Sequence, residues 1–275
     1  MNGQGQKRKR GGGRAGNAQR RGLASIEQMP WHLPINNDPP IEPLNEDGVM
    51  AIHDGAMRIL EEIGVEFLNE KALRILKKAG CKISEQNVRM DRHFVMEMVA
   101  KAPSTFDITP RNVKRKITVG GPHILFGNVS SPPAYWDLEI GKKIPGSRET
   151  FADFCKLSQY FNCIHFLGGY PVEPVDLHPS TRHLDAIFDK LILSDKVAHA
   201  YSLGKERVED VMEMVRIAGN LSHEEFETSP KMFTNINSTS PLKHDEPMLD
   251  GWMRLAKKNQ ALIVTPFTLA GAMAP

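Results

Sequence analysis

Residues 235–241 read Asn-Ile-Asn-Ser-Thr-Ser-Pro, the densest run of short polar side chains in the chain. Asn235, Asn237 and Ser238 can orient a ligand by hydrogen bonds. The same residue types also build turns that bond their own backbone, and the sequence supports both readings equally. Sparser groups recur at Gly168-Gly169-Tyr170-Pro171, Tyr201-Ser202 and Pro266-Phe267-Thr268. Each follows a short apolar run, so Gly169, Tyr170, Tyr201, Phe267 and Thr268 join the polar three as candidate binding positions at strand ends. The ten histidines hold no H-E-x-x-H motif or Cys/His cluster, so no metal ligands are assigned. His165 and His199 fall inside apolar runs and read as core histidines. Cys155 and Cys163 flank a helix without a nearby base and read as buried structural thiols. Nothing resembles a Ser-His-Asp arrangement or a phosphate loop, and no catalytic residue is assigned.

The elements that must position these groups follow a regular order. Thr150 to Asp153 is a capping-box pattern opening a helix to about Phe161. Four strand candidates come next: 164–168, 197–201, 232–236 and 262–265. Their starts are 33, 35 and 30 residues apart. Helices are expected between them at 180–192, 205–218 and 246–257. Strand–helix alternation at this spacing implies parallel crossovers. A doubly wound sheet and an eightfold α/β barrel both fit, but no G-x-G-x-x-G follows the first strand, which favours a TIM-type (β/α)8 barrel. Residues 147–275 supply four of eight units, so the expectation is about the first half of a barrel in a truncated chain.

Ahead of it, residues 29–113 read as a proline-rich connector followed by a helical cap. Asn45 caps a helix with apolar positions Val49, Ile52, Ala56, Ile59, Leu60 and Ile63; further helices start near Asn69 and Asp91. Such amphipathic helices suit a cap or a contact in a homo-oligomer. Residues 114–146 read as a small antiparallel β insertion with runs at 116–119, 123–126 and 134–138.

Hydrophobic residues make up 40% and charged residues 25% of the 275, which excludes collagen-like, fibrous and wholly disordered classes. No run of about 18 apolar residues exists to span a membrane. Three cysteines without a CxxC pair make no disulfide framework, and no secretory signal is present, so a reducing cytoplasmic setting is expected. The net charge of +2 conceals an asymmetry: seven basic residues crowd residues 1–21, leaving 28 basic against 33 acidic residues in the remainder. Residues 1–28 are therefore read as a disordered basic arm. No aromatic residue interleaves its arginines to stack on bases, so a solvated tail is favoured over a nucleic-acid arm.

Several segments resemble one family. They are the arginine-rich head, Pro-Leu-Asn-Glu-Asp at 43–47, Ile-Leu-Glu-Glu-Ile-Gly-Val at 59–65 and Ala-Pro at 102–103. Asn-Ser-Thr-Ser-Pro-Leu at 237–242 and Pro-Phe-Thr-Leu-Ala-Gly-Ala-Met-Ala-Pro at 266–275 are the most specific. Together they are similar to the trimethylamine methyltransferase family. The resemblance implies an eightfold α/β barrel that moves a methyl group from trimethylamine, or a quaternary amine such as glycine betaine, to cobalt. That cobalt belongs to the corrinoid (cobalamin) of a separate partner protein, so no cofactor is expected on this chain itself. A quaternary ammonium is held by cation–π faces, which makes Tyr170, Tyr201 and Phe267 candidate walls, although each equally fits a core role. Asn235, Asn237 and Ser238 would hold the carboxylate of a betaine. The rival expectation is a catalytically inactive half-barrel that acts at most as a binding or assembly partner.

Overall fold

A computed structural model describes residues 26–200, 204–266 and Gly271. The basic arm up to residue 25, Tyr201, Phe267 and Thr268 lie outside the described residues.

Short polar residues start the helices where the sequence places them. Asn45 accepts from Gly48 N and opens α1 (Glu46–Arg58), which continues as a π-helical turn over Ile59–Ile63. Met57 is buried and Leu60 half-buried, whereas Val49, Ile52, Ala56, Ile59 and Ile63 stay exposed, so most of the expected apolar face of α1 is open. Strand β1 (Val65–Phe67) follows, then α2 (Glu70–Lys78), capped by Asn69, and the hairpin β2 (Lys82–Ser84)–β3 (Asn87–Arg89). Next comes α3 (Arg92–Ala100).

The β insertion is differently built from its sequence pattern. Strand β4 (Thr105–Ile108), which the sequence did not signal, pairs antiparallel with β5 (Ile117–Gly120). It is only four residues long and hemmed by Pro103 and Pro110, too short for its alternation to stand out. The hairpin β6 (Ala134–Asp137)–β7 (Lys142–Pro145) is separate. Residues 123–126 form no strand. That segment leads into Gly127, which makes a parallel bridge to Phe166.

From here the expected alternation holds. Helix α4 (Arg148–Tyr160) begins earlier than its predicted box: Ser147 and Thr150 cap each other's backbone N–H. Then come β8 (Phe166–Leu167), α5 (Arg182–Leu193), β9 (Val197–Ala198) and α6 (Lys205–Ala218). The short α7 (His223–Glu227) was not anticipated and carries its own capping box, Ser222 with Glu225. Strand β10 (Phe233–Asn237), β11 (Lys243–His244), α8 (Glu246–Lys257) and β12 (Ala261–Thr265) complete the described chain. β8 pairs parallel with β9, β9 reaches β10 through a parallel His199–Phe233 bridge, and β10 pairs parallel with β12. The four strands are thus neighbours in chain order. The architecture is mixed α/β with helices and small sheets, and no closed barrel exists among the described residues. No described helix is long and apolar enough to cross a membrane.

The cap is tied to the loop that follows β10. β11, inside that loop, pairs parallel with β1, and Lys243 Nζ lies 2.8 Å from Glu66 Oε2. His244 sits between Phe67, tilted against its ring, and Trp252, edge-on to it, and Asn69 Nδ2 donates to Asp250 Oδ1 at 3.2 Å. Leu249 of α8 is buried with Val65, Phe67, Ala72 and Val88 of the cap. Leu249→Ala should therefore cost ~2–4 kcal/mol of unfolding free energy and expose residues 238–244 to proteolysis. A variant whose loop resists protease as the wild type does would contradict this coupling.

Candidate functional site

Alternation along the parallel strands sorts their side chains into two faces. Ala198, Ala200, Met232 and Leu262 pack with α5, α6 and α8. Phe166, Val197, Phe233 and Ala261 face the other way, against the β4–β5 hairpin through Ile108 and Ile117. An apolar cleft of about 220 Å3 lies there, lined by Phe106, Phe166, Phe233 and Ile263 among others. Continuing the period toward the carboxyl ends of the strands, the same face carries His199, Asn235, Asn237 and Thr265. One face therefore runs from an apolar floor to a polar rim. Ligands bind at the carboxyl ends of parallel strands, so the rim is the candidate site.

The rim is built around two nitrogen groups. His199 is half-buried, with its ring edge-on to Phe233 at 5.0 Å. Gly169 N–H points at its Nδ1 (2.9 Å) and Asn235 N–H at its Nε2 (3.1 Å), so one imidazole spans the ends of β8, β9 and β10. Burial, reinforced by the Lys190 charge, pushes its pKa down to about 3, and the ring is neutral at any physiological pH. Lys190, on the inward side of α5, is fully buried. Its ammonium donates to the carbonyls of Gly169 and His199 and lies 5.4 Å from the centroid of the Tyr170 ring. Burial lowers Lys190 to about 8. Behind it the thiol of Cys155, also buried, is raised to about 12 and is inert. Cys163, by contrast, is exposed: it lies just beyond the end of α4, not within the packed face that holds Cys155.

The loop 128–131 closes over the end of β8. Asn128 donates to Gly168 O and accepts from Gly168 N, and a Cβ on Gly169 would collide with Ser130 Oγ. Gly169 also has φ of 29°, so glycine is required twice over.

The candidate residues are thus distributed as follows. Gly169, Asn235, Asn237 and Ser238 stand around His199 or directly beyond it along β10. Tyr170 is 5% exposed, packed edge-on to Phe151, with the Lys190 ammonium against its ring. Asn237 is exposed, and Ser238 N–H donates to Thr265 O, joining the loop after β10 to the last residue of β12. Sequence reasoning missed His199 and Lys190 as parts of this arrangement. The available signal was parity: His199 lies two residues beyond inward-facing Val197 on β9. His165 remains a satisfied core histidine, with Nδ1 accepting from Phe126 N–H and Nε2 facing His32 O. Among the described residues, no three His, Cys, Asp or Glu side chains converge as metal ligands.

The strand ends make a candidate small-molecule site, and sequence comparison gives the family. The profile of the family described as Trimethylamine methyltransferase (MTTB) matches residues 10–275, and the chain belongs to that family. It is 33% identical over 232 residues to the glycine betaine methyltransferase of Desulfitobacterium hafniense strain Y51, covering 84% of this chain and 48% of that protein. It is 23% identical over 206 residues to the trimethylamine methyltransferase MttB of D. hafniense strain DSM 10664 / DCB-2, covering 72% of this chain and 40% of the relative. The chain spans about half the length of the curated relatives it matches or less.

Removing Lys190 tests how the rim is held. Lys190→Met leaves the Gly169 and His199 carbonyls without a donor, at a cost of ~1–3 kcal/mol for each group left unsatisfied. The pH dependence separates charge from packing. The folded pKa of about 8 lies below the ordinary 10.5, so between these values the unfolded chain holds a proton the folded one has released. Stability contributed by this residue therefore rises across that window. Denaturant unfolding from pH 8 to 10 should show a rise in the wild type that is smaller in Lys190→Met; equal slopes would contradict the burial of the ammonium.

Proposed function

We propose that this chain carries the first half of an eightfold α/β barrel whose rim binds a methylated amine. The whole enzyme moves one methyl group from that amine to the corrinoid of a separate protein. The observation that carries the reading is the 33% identity to a glycine betaine methyltransferase across 84% of the chain, coupled with the polar rim that the same residues build. Neighbouring parallel strands in chain order with intervening helices, and a span near half that of the relative, support the barrel. Glycine betaine is the preferred substrate class, since the rim is rich in amide and hydroxyl donors suited to a carboxylate. The family resemblance also favours a methyltransferase over an inert half-barrel.

The division of labour on this chain follows from substrate chemistry. The partner's corrinoid supplies the nucleophilic cobalt that takes the methyl group. When the methyl carbon–nitrogen bond breaks, the nitrogen keeps the electron pair and leaves as a neutral tertiary amine, so no acid need act on it. The task of this chain is binding and alignment. Asn235, Asn237 and Ser238 hold the carboxylate, while aromatic faces and the apolar floor favour the methylated cation over water. Tyr201 and Phe267 are the proposed walls, because the Tyr170 ring already meets an internal cation. The exposed apolar side of α1 is the proposed contact in a homo-oligomer.

Steady-state methyl transfer to reduced corrinoid protein tests the assignment. Glycine betaine should be demethylated by the protein at the length of its relatives. Asn237→Ala should raise KM roughly tenfold, equivalent to ~1.4 kcal/mol of binding, with kcat little altered. Absence of transfer from every methylated amine offered would overturn the reading.

A further inference from the structure

Helix α5 turns the usual arrangement of an outer helix inside out. A helix packed on a sheet normally faces its apolar stripe inward and its charges toward water. Here Asp189 and Lys190 are only 6% and 2% exposed, and His183 is buried with them. Leu184, Phe188 and Ile192, each four residues from the next, are 37%, 49% and 55% exposed. That spacing puts them in one row on the outward face, a continuous patch rather than scattered apolar residues.

No described element covers this face. α5 lies between α4 and α6 in the helical layer and packs inward through Ala186 and Ile187. Any further strand–helix units would extend that layer from its ends, at α4 or α8, and leave the outward side of α5 open. Charge narrows what can cover it. Asp185 and Asp189 are paired with Arg148, and His183 Nε2 lies 2.9 Å from Asp210 Oδ2. The row itself is uncharged, as is Thr181 at its head. A second copy of the same face therefore brings no like charges together and strands no charge without a partner. Faces between copies of one chain are also more apolar than those formed transiently with another protein.

We propose that the outward face of α5 is a contact between two copies of this chain, related by a two-fold axis beside Phe188. Rows at i and i+4 on two helices interlock at a crossing angle of about 50°. Phe188 then meets Phe188 of the partner subunit, with Leu184 and Ile192 packed around the crossing. Such a contact uses the same patch twice and closes at two copies. It is separate from the contact proposed at α1 and does not rest on the methyltransferase reading. Because the inner side of α5 carries Lys190, the contact braces the helix that supports the rim.

Light scattering after size exclusion, at micromolar concentration, tests the proposal. Phe188→Glu sets two carboxylates against each other at the two-fold and should halve the mass of the wild type, with the helical circular dichroism unchanged. In an Ile52→Glu background, which charges the α1 face, Phe188→Glu should again halve the mass. Cross-linking gives a second readout that needs no charged variant. In a Cys163→Ser background, which removes the exposed thiol, Phe188→Cys should be joined into a pair by a short bis-maleimide, while Cys163→Ser alone stays unlinked. A wild type of single-chain mass, or a folded Phe188→Glu variant that keeps the wild-type mass, would overturn the proposal. Should Phe188→Glu fail to fold, the cross-link decides, and an unlinked Phe188→Cys overturns it. A single-chain wild type whose Phe188→Glu variant loses binding to a corrinoid protein would assign the patch to that partner instead.

Discussion

Where parallel strands run out of their sheet, their last peptide groups lose ladder partners while still shielded from water, and each must be bonded by something else. In this chain two side chains stand against the peptide groups at the ends of β8, β9 and β10. His199 stands against the N–H groups of Gly169 and Asn235, and Lys190 donates to the carbonyls of Gly169 and His199. A residue whose donors and acceptors are split between two strands fixes the distance between them. The positions of Gly169 and Asn235, and through Asn235 the start of the polar loop, follow from these contacts. A buried ammonium beside a neutral imidazole is tolerable because two carbonyls and an aromatic face receive its charge.

The remaining elements serve that rim. The β4–β5 hairpin fills the floor with Phe106, Ile108 and Ile117, so the apolar cleft ends below the polar residues. The cap, whose helices carry no chemistry of their own, holds the loop after β10 by pairing β1 with β11 and by seating His244 between Phe67 and Trp252. The loop 128–131 closes over Gly168 and Gly169, at a point where side chains would not fit. Three segments distant in sequence thus converge on the strand ends.

How much of this was legible depended on range. The helices after residue 147, apart from the short α7, were readable because apolar periodicity and local caps are contained within a few residues, and the strand spacing carried the parallel order. The polar candidates after β10 were readable from residue type. His199 looked like a core histidine because its significance lies in nitrogens that meet backbone from strands about thirty residues away on either side. Lys190 was hidden for the same reason: on a helix it reads as one more surface charge. The β4 strand and the β1–β11 pairing failed for a related cause, since pairing between distant short segments leaves no periodic trace. The apolar face of α1 was readable as a pattern, yet most of it is exposed, because periodicity marks a face and not its partner.

The central claim is that the amine is held at the polar rim by the side-chain amides at the end of β10. A crystal structure of the protein with glycine betaine tests it most directly. The account predicts the carboxylate about 3 Å from side-chain nitrogen of Asn235 or Asn237, with the trimethylammonium group beyond it on the same face. Glycine betaine found instead in the apolar cleft beside Phe106, or away from the strand ends altogether, would contradict it.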